Sequence, residues 1–280
     1  MNTGGLYKDA IALPYWSTAD LNINQFYTAR KDSLWKAYKN SKNYKLLSDW
    51  AWISIKTGDV KDAIPVLDSL YNKYPSDYNI VANLGTANEL TGNNQRALEL
   101  LQKAVSLNPA SHFGSEWIHI NILKAKIKDN SYERNLAGVN AEPYNYKEWL
   151  SKPVPVATLD SLITAVAYQL HERIYFVKAP DKYVGRLICD FADLVAKRYS
   201  MQEAIPFFIK AVSYDKDLEP EIQQRINALK DDKNKSGQQA AAAKDTTNGN
   251  WWIYCLLFLG GAVISTVFFK LYKNQGGSLS

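Results

Sequence analysis

Residues 44–77 read YKLLSDWAWISIKTGDVKDAIPVLDSLYNKYPSD, and residues 78–111 read YNIVANLGTANELTGNNQRALELLQKAVSLNPAS. These segments are one 34-residue pattern written twice. Self-similarity at a period of this size is typical of stacked repeat arrays, in which each unit buries its apolar face against the next. A shift by one period superposes these pairs: Tyr44 and Tyr78, Leu47 and Val81, Trp50 and Leu84, Ala51 and Gly85, Gly58 and Gly92, Ala63 and Ala97, Leu67 and Leu101, Pro75 and Pro109.

Each copy predicts two short antiparallel helices. Apolar residues recur at helical spacing up to Gly58 or Gly92, and glycine adopts the positive φ that ends a helix without a steric penalty. Gly85, or the alanine at the equivalent position of the first copy, leaves room for the two helices to approach closely. Pro75 and Pro109 end the second helix, because proline lacks the N–H and clashes with the preceding turn.

The pattern resembles the tetratricopeptide repeat. The first copy departs from that motif with Trp50-Ala51 in place of Leu-Gly and with Leu70 in place of the second alanine. The resemblance implies an all-α fold, a short solenoid of helical hairpins whose first helices line a concave groove for a peptide or a helix. The second copy carries these positions of the motif: Leu84, Gly85, Ala97, Leu101, Ala104 and Pro109.

The rest of the chain extends this array on both sides. Residues 1–43 form an N-terminal segment, in which residues 24–40 predict a helix that packs on the first repeat. Residues 112–230 predict degenerate repeat-like helices with a loop insertion at about 129–156, where prolines, glycine and asparagines interrupt the helical pattern. Within the insertion an aromatic and apolar group favours packing against the helices over a partner-binding role: Tyr144, Tyr146, Trp149 and Leu150.

Helical periodicity returns after the insertion. Residues 157–177 predict one helix with apolar residues on one face. Residues 185–218 then resemble a degenerate repeat, with lysine in place of the terminal proline. Residues 221–230 predict a polar helix of the kind that caps a solenoid.

A tether and a membrane span are predicted at the C-terminal side. Residues 231–250 have no apolar face to bury and predict a flexible linker. Residues 251–270 predict a transmembrane helix, since the stretch from Trp251 to Phe269 carries no charge and spans about 28 Å as a helix. Residues 271–280 form a short tail. Interfacial residues flank the span as an anchor: Trp251, Trp252, Lys270 and Lys273.

The side of the membrane is not decided by the lysines, which lie on both flanks of the span. No long apolar run follows Met1, so we expect no signal peptide and a cytoplasmic repeat domain. If Met1 is not the native start, the opposite topology stays open. Gly261 and Ser265 lie four residues apart and could support self-association of the span, although this is a weak motif.

Composition and motifs point away from several function classes. The net charge of +5 is spread over scattered lysines, which argues against a nucleic-acid surface. The two cysteines define no disulfide framework. His112, His119 and His171 lack partners at metal-ligand spacing, and no phosphate-binding glycine motif is present. We therefore expect no metal, no cofactor and no catalytic residues.

A protein-binding groove is the interaction site that the resemblance implies. Only Asn83 matches the carboxylate clamp that one subfamily uses, so a chaperone-tail clamp is not expected. Carried over position by position, the groove residues are Lys45, Trp52, Asn79, Asn83, Thr86, Glu89, Glu116 and Ile120, with Ser48, Lys56, Phe113 and Lys124 as further candidates.

The favoured function is a membrane-anchored scaffold that binds a protein or peptide ligand in this groove. One alternative is an enzyme or accessory factor whose site lies in the 129–156 insertion, where the acids are Asp129, Glu133, Glu142 and Glu148. Another is an assembly factor that acts through pairing of its transmembrane helix.

Overall fold

The structure is a computed structural model that describes residues 21–129 and 136–237. For residues 21–25 and 229–237 it describes the backbone only. The chain divides into two units, Met1–Leu229 and Lys230–Ser280. In the second unit only the helical backbone of residues 230–237 is described. Within the described ranges all regular structure is helical, with eleven α-helices and no strand, which confirms the predicted all-α fold.

Three 3₁₀ turns lie between the α-helices, at Ser111–Gly114, Pro143–Asn145 and Lys216–Leu218. In chain order the α-helices are α1 Leu21–Ser41, α2 Tyr44–Lys56, α3 Val60–Lys73, α4 Tyr78–Leu90, α5 Asn94–Leu107, α6 Glu116–Ile127, α7 Tyr146–Ser151, α8 Val156–Phe176, α9 Lys182–Arg198, α10 Met201–Tyr214 and α11 Glu219–Gly237.

The ends of α2 and α4 lie where the predicted glycine signals place them, and the structure adds a cap at the start of α4. Gly58 and Gly92 have φ values of 90° and 84° just after the ends of α2 and α4, the left-handed conformation that glycine adopts most easily. Asp77 caps α4, because its carboxylate accepts hydrogen bonds from the backbone N–H groups of Asn79 and Ile80.

Helix crossings depend on the small residues of the pattern. A Cβ atom at Gly85 would lie 3.0 Å from the Leu101 side chain, so α4 and α5 are already in close contact there. The helix α3 ends at Lys73 and α5 ends at Leu107, each shortly before the proline of its repeat. The paired hairpins α2–α3 and α4–α5 are therefore present where the period predicts them.

Packing follows the chain order of a solenoid. Each helix from α1 to α5 packs on the next, and α2 also contacts α4. After α6 the chain makes its insertion, and α8 then packs on both α6 and α9, while α9 packs on α10. The buried core of α2 to α5 is apolar and contains Ala51, Ile55, Ala63, Leu67, Val81, Leu84, Leu100 and Ala104.

The insertion is part of the C-terminal core. Its described residues from 136 onward include the short helix α7, and the Tyr146 side chain is fully buried. The predicted packing is thus confirmed for Tyr146, and Trp149 and Leu150 pack partly buried against the same core. For Tyr144 the prediction is wrong, because 81% of its surface is exposed. Residues 130–135 lie outside the described part. The insertion contributes these buried residues to the core formed with α8, α9 and α10: Leu136, Ala137, Val139, Ala141 and Tyr146.

The C-terminal helix is longer than the sequence pattern indicates. α11 runs from Glu219 to Gly237, past the predicted boundary at 230, because extending an existing helix adds one hydrogen bond for each residue fixed. The predicted transmembrane segment, with its anchor residues and its Gly261–Ser265 pair, lies outside the described residues. No helix among those described is long and apolar enough to cross a membrane.

Candidate binding groove

The predicted groove residues occupy the first helices α2, α4 and α6, and they differ in exposure. Lys45 and Asn79, near the N-terminal ends of α2 and α4, are exposed. Glu89 and Glu116 are buried, with 8% and 4% of their surface exposed. The remaining predicted residues are partly buried: Trp52, Asn83, Thr86 and Ile120.

Helix α8 lies across these three first helices. Gln169 donates a hydrogen bond to Ser115, which immediately precedes α6, over 3.0 Å. One turn later, Arg173 donates to Glu89 of α4 over 2.9 Å. Residues at this spacing share one helix face, so a single face of α8 covers part of the groove that the resemblance assigns to a partner.

The C-terminal end of α8 docks on α2 through aromatic rings. Phe176 meets Trp52 edge-on, with ring centroids 5.9 Å apart. The Tyr175 hydroxyl donates a hydrogen bond to the Lys56 carbonyl over 3.1 Å. This end of the groove is therefore partly occupied by the protein's own side chains, and Trp52, a predicted partner-binding residue, packs on Phe176 while it stays partly exposed.

Lys56 lies at the centre of this contact. Its ammonium lies 4.6 Å, 4.3 Å and 4.6 Å from the ring centroids of Trp52, Tyr175 and Phe176, and 3.5 Å from a Glu172 carboxylate oxygen. Burial lowers the pKa of Lys56, although Glu172 acts in the opposite direction. The cation–π contacts and the ion pair together join α2 to α8.

A network of buried charges continues from this contact. Glu89 binds Arg173 at 2.9 Å, Lys126 at 2.8 Å and His119 at 2.5 Å. Burial alone would raise the pKa of Glu89, but Arg173, His119 and Lys126 outweigh that effect and hold it well below its usual value. Glu89 thus connects α4 to α6 and α8 as a buried carboxylate that stays ionised.

Glu116 extends the network toward the start of α6. It contacts His112 at one carboxylate oxygen and lies 3.5 Å from His119 Nδ1 at the other. Burial opposes ionisation of this carboxyl, yet the two histidines lower its pKa to about 2. Glu89 and Glu116 were predicted to face a partner, and the structure instead uses both carboxylates inside the protein.

The turn before α6 has unusual backbone geometry. His112 and Phe113 have φ values of 49° and 57°, a conformation that is uncommon outside glycine. His112 stacks on Tyr168 of α8, with centroids 5.1 Å apart. Phe113 contacts the same ring edge-on at 5.4 Å and remains 66% exposed.

Two other predicted groove residues have contacts within their own neighbourhood. Ile120 packs against the small apolar cluster of Ala97, Leu101 and Leu123. The Thr86 hydroxyl donates a hydrogen bond to the Ala82 carbonyl, one turn earlier in α4, over 3.2 Å. The structure therefore places Trp52 and Glu89 against α8 and Glu116 against His112 and His119, whereas Lys45 and Asn79 are exposed and Asn83 is partly buried.

A second charged network ties the insertion to α9 and α11, and sequence reasoning missed it. Arg225 Nε lies 3.0 Å from Asp193 Oδ1, and Arg225 Nη2 donates to the Ala141 carbonyl over 2.8 Å. Asp190 accepts a hydrogen bond from the Ala137 N–H over 3.1 Å. The available signal was two aspartates within the otherwise apolar stretch 187–196 of α9, because charges inside a core are paired.

Burial is the main cause of the shifted pKa values of the two aspartates in this second network. Burial raises the pKa of Asp193 to about 6, although Arg225 acts to lower it. Burial also raises the pKa of Asp190 well above its usual value, despite Arg186. These acids bind backbone atoms and a buried arginine, so their geometry is that of structural residues.

The acids of the insertion are dispersed. Asp129 pairs with Lys182 at 3.1 Å and Glu148 pairs with Lys152 at 2.9 Å, while Glu133 lies outside the described residues. Groups of three or more acidic, histidine or cysteine side chains that could hold a metal are absent from the described parts.

Comparisons with protein-family models, with curated proteins and with solved structures find no match to this chain.

Proposed function

We propose that this chain is a membrane-anchored scaffold of tetratricopeptide-repeat type, which binds a protein partner at the open part of its groove. The observation that carries the proposal is the arrangement of α2 and α4, two first helices in contact with Lys45 and Asn79 exposed near their N-terminal ends. Residues 251–270 supply the proposed membrane anchor, with the repeats on the cytoplasmic side.

The open part of the groove suits an extended peptide. Asn79 and Asn83 lie one turn apart on α4, so their side chains share a face. An asparagine amide offers both donors and acceptors, which matches the backbone groups of an extended segment. Lys45 adds one positive charge on the adjacent helix, and this favours a segment with an acidic residue.

Site-specific photocrosslinking tests this binding surface in the full chain. A photoreactive amino acid at Asn79 is expected to capture a partner, while the same amino acid at exposed Gln102 of α5 is not. Asn83→Leu should reduce the yield from position 79. Equal capture from positions 79 and 102, or no capture from positions 45 and 79, would refute the groove as the binding surface.

Membrane attachment has a separate test. Membranes from cells that express the full chain are washed at alkaline pH, and the chain is expected to remain in the pellet. A chain that ends at residue 250 should appear in the supernatant. Retention of this shorter chain in the pellet would show that residues 251–270 do not anchor the chain in the membrane.

A further inference from the structure

A cavity of about 280 Å³ lies at the other end of the array, away from α2 and α4. Its walls come from four segments: the insertion, the start of α9, the 3₁₀ turn before α11, and α11 itself. The cavity is lined by Pro143, Tyr144, Lys182, Arg186, Asp215, Asp217, Leu218, Pro220, Glu221 and Gln224.

Arg186 is the buried charged group of this cavity, with 4% of its surface exposed. Its Nη1 atom lies 2.5 Å from Glu221 Oε1. Its Nε atom is buried and has no hydrogen-bond partner. Guanidinium donors that lie on one edge bind a carboxylate through two parallel hydrogen bonds, and an orphaned buried donor costs about 1–3 kcal/mol.

The surroundings of Arg186 favour a particular kind of ligand. Pro143, Leu218 and Pro220 supply apolar wall, and Tyr144 is 81% exposed at the rim. Asp215 and Asp217 also line the cavity, and their charges disfavour a dianion such as phosphate. A single carboxylate on a small apolar body matches both the arginine edge and these walls.

We propose that this cavity binds a monocarboxylate, with Arg186 as its anion ligand and Tyr144 as an apolar contact at the rim. The carboxylate could belong to a free small acid or to the C-terminal residue of a protein chain. The inference does not depend on the proposed groove, because no residue of the cavity belongs to α2, α4 or α6.

Calorimetric titration of the full chain in detergent micelles tests the proposal. The probes are N-acetyl-leucine, its uncharged amide, and a tetrapeptide ending in leucine with either a free or an amidated C-terminus. The free acids are expected to bind, and the amides to bind at least about tenfold more weakly, since hydrogen bonds to a charged group are lost. Inorganic phosphate should bind more weakly than the acids.

Two variants assign the binding to the cavity. Arg186→Lys keeps the charge opposite Glu221 but loses the planar edge, and should weaken acid binding about tenfold or more. Tyr144→Ala changes an exposed side chain, so it should weaken binding several-fold with an unchanged melting temperature. Phe113→Ala, at the groove, should leave the affinity unchanged.

The outcomes separate the sources and can overturn the proposal. Binding of the tetrapeptide acid without N-acetyl-leucine identifies a chain terminus, and binding of both identifies the carboxylate itself as sufficient. Equal binding of acids and amides, no binding of any acid at millimolar concentration, or unchanged affinity in Tyr144→Ala together with Arg186→Lys would each refute the site. None of these results bears on crosslinking from position 79.

Discussion

At the scale of single residues, the centre of the first network is Glu89. Its carboxylate holds three cationic or titratable partners, Arg173, Lys126 and His119, in a buried position. Glu89→Gln keeps the size but removes the charge, so that Arg173 is left buried without its counter-ion. Breaking a buried pair in this way costs about 3–5 kcal/mol, and we expect a loss of that size in urea unfolding.

Glu99 supplies the matched control for this substitution. It forms an ion pair with Arg96 at 3.8 Å, one turn apart on α5, and both side chains are substantially exposed. Exposed pairs contribute roughly 0–1 kcal/mol, so Glu99→Gln should change stability little. If the two variants lose the same stability, the buried network does not hold the fold in the way described.

His112 gives the fold a pH dependence on the alkaline side. Burial lowers its pKa, but the hydrogen bond and charge of Glu116 outweigh burial and raise it above 6.5. For a raised pKa, the stabilisation is complete below 6.5 and is lost as the pH rises through the folded-state pKa. Urea unfolding at pH 6 and pH 8 should therefore show a stability loss that His112→Gln reduces, and the part that remains comes from the buried acids Asp190 and Asp193, whose pKa values are also raised.

His171 is the control for this measurement, because it is an exposed histidine on α8. His171→Gln should leave the difference in stability between the two pH values intact. An undiminished pH difference in His112→Gln would mean that His112 does not contribute to it. Glu116 gives the opposite pH dependence, because its pKa is lowered rather than raised. Its stabilisation is present above pH 4.5 and is lost as the pH falls toward about 2.

At the scale of helices, two glycines separate tight crossings from tolerant ones. A Cβ at Gly185 of α9 would lie 2.7 Å from Asp215 Cβ and 3.2 Å from the Asp215 nitrogen, so the backbone would have to move. A Cβ at Gly85 of α4 would meet only the Leu101 side chain, at 3.0 Å, and the Leu100 Cβ at 3.5 Å. Glycine-to-alanine in a helix otherwise stabilises by roughly 1 kcal/mol.

We therefore expect opposite results from the two alanine variants. Gly185→Ala should destabilise the protein by about 1–3 kcal/mol, as overpacking does. Gly85→Ala should be near neutral, because a flexible leucine side chain can shift by a few tenths of an ångström. Urea denaturation of both variants decides this, and equal effects would contradict the described contact between α9 and Asp215.

The helices themselves could largely be predicted, because their signals are local. The repeat glycines, prolines and Asp77 determine where α2 to α5 begin and end. The position of α8 could not be predicted, since its Glu172, Arg173 and Tyr175 form a polar and aromatic face that looks like a solvent face in the sequence. Only long-range partners, such as Lys56 and Glu89, convert that face into a packing surface.

At the scale of the whole molecule, the same limit explains the groove. The repeat pattern predicts which helices line it, and Lys45 and Asn79 are exposed on two of those helices. Trp52, Glu89 and Glu116 were predicted from the same positions, yet Trp52 and Glu89 contact α8, and Glu116 binds His112 and His119. A position within a repeat indicates which way a side chain faces. Which residues that side chain contacts depends on a chain segment more than fifty residues away.

Two truncations test how the first unit is completed. Arg225 of α11 binds both Asp193 and the Ala141 carbonyl, so it joins the insertion to α9. A chain ending at residue 218 lacks Arg225 and leaves Asp193 as a buried acid without its cation, whereas a chain ending at 237 keeps every described contact. We expect residues 1–237 to unfold in urea as the full chain does.

The shorter chain should lose about 3–5 kcal/mol, the usual penalty for removing one partner of a buried ion pair, and Ile222 leaves the core as well. Arg225→Met in residues 1–237 separates these contributions, because it removes the charge and keeps the helix. That variant should show most of the loss and a steeper fall in stability as the pH rises above 6, because Asp193 loses the cation that lowers its pKa. Equal stability of the chains ending at 218 and 237 would show that α11 is dispensable, and that the insertion is held by its apolar contacts alone.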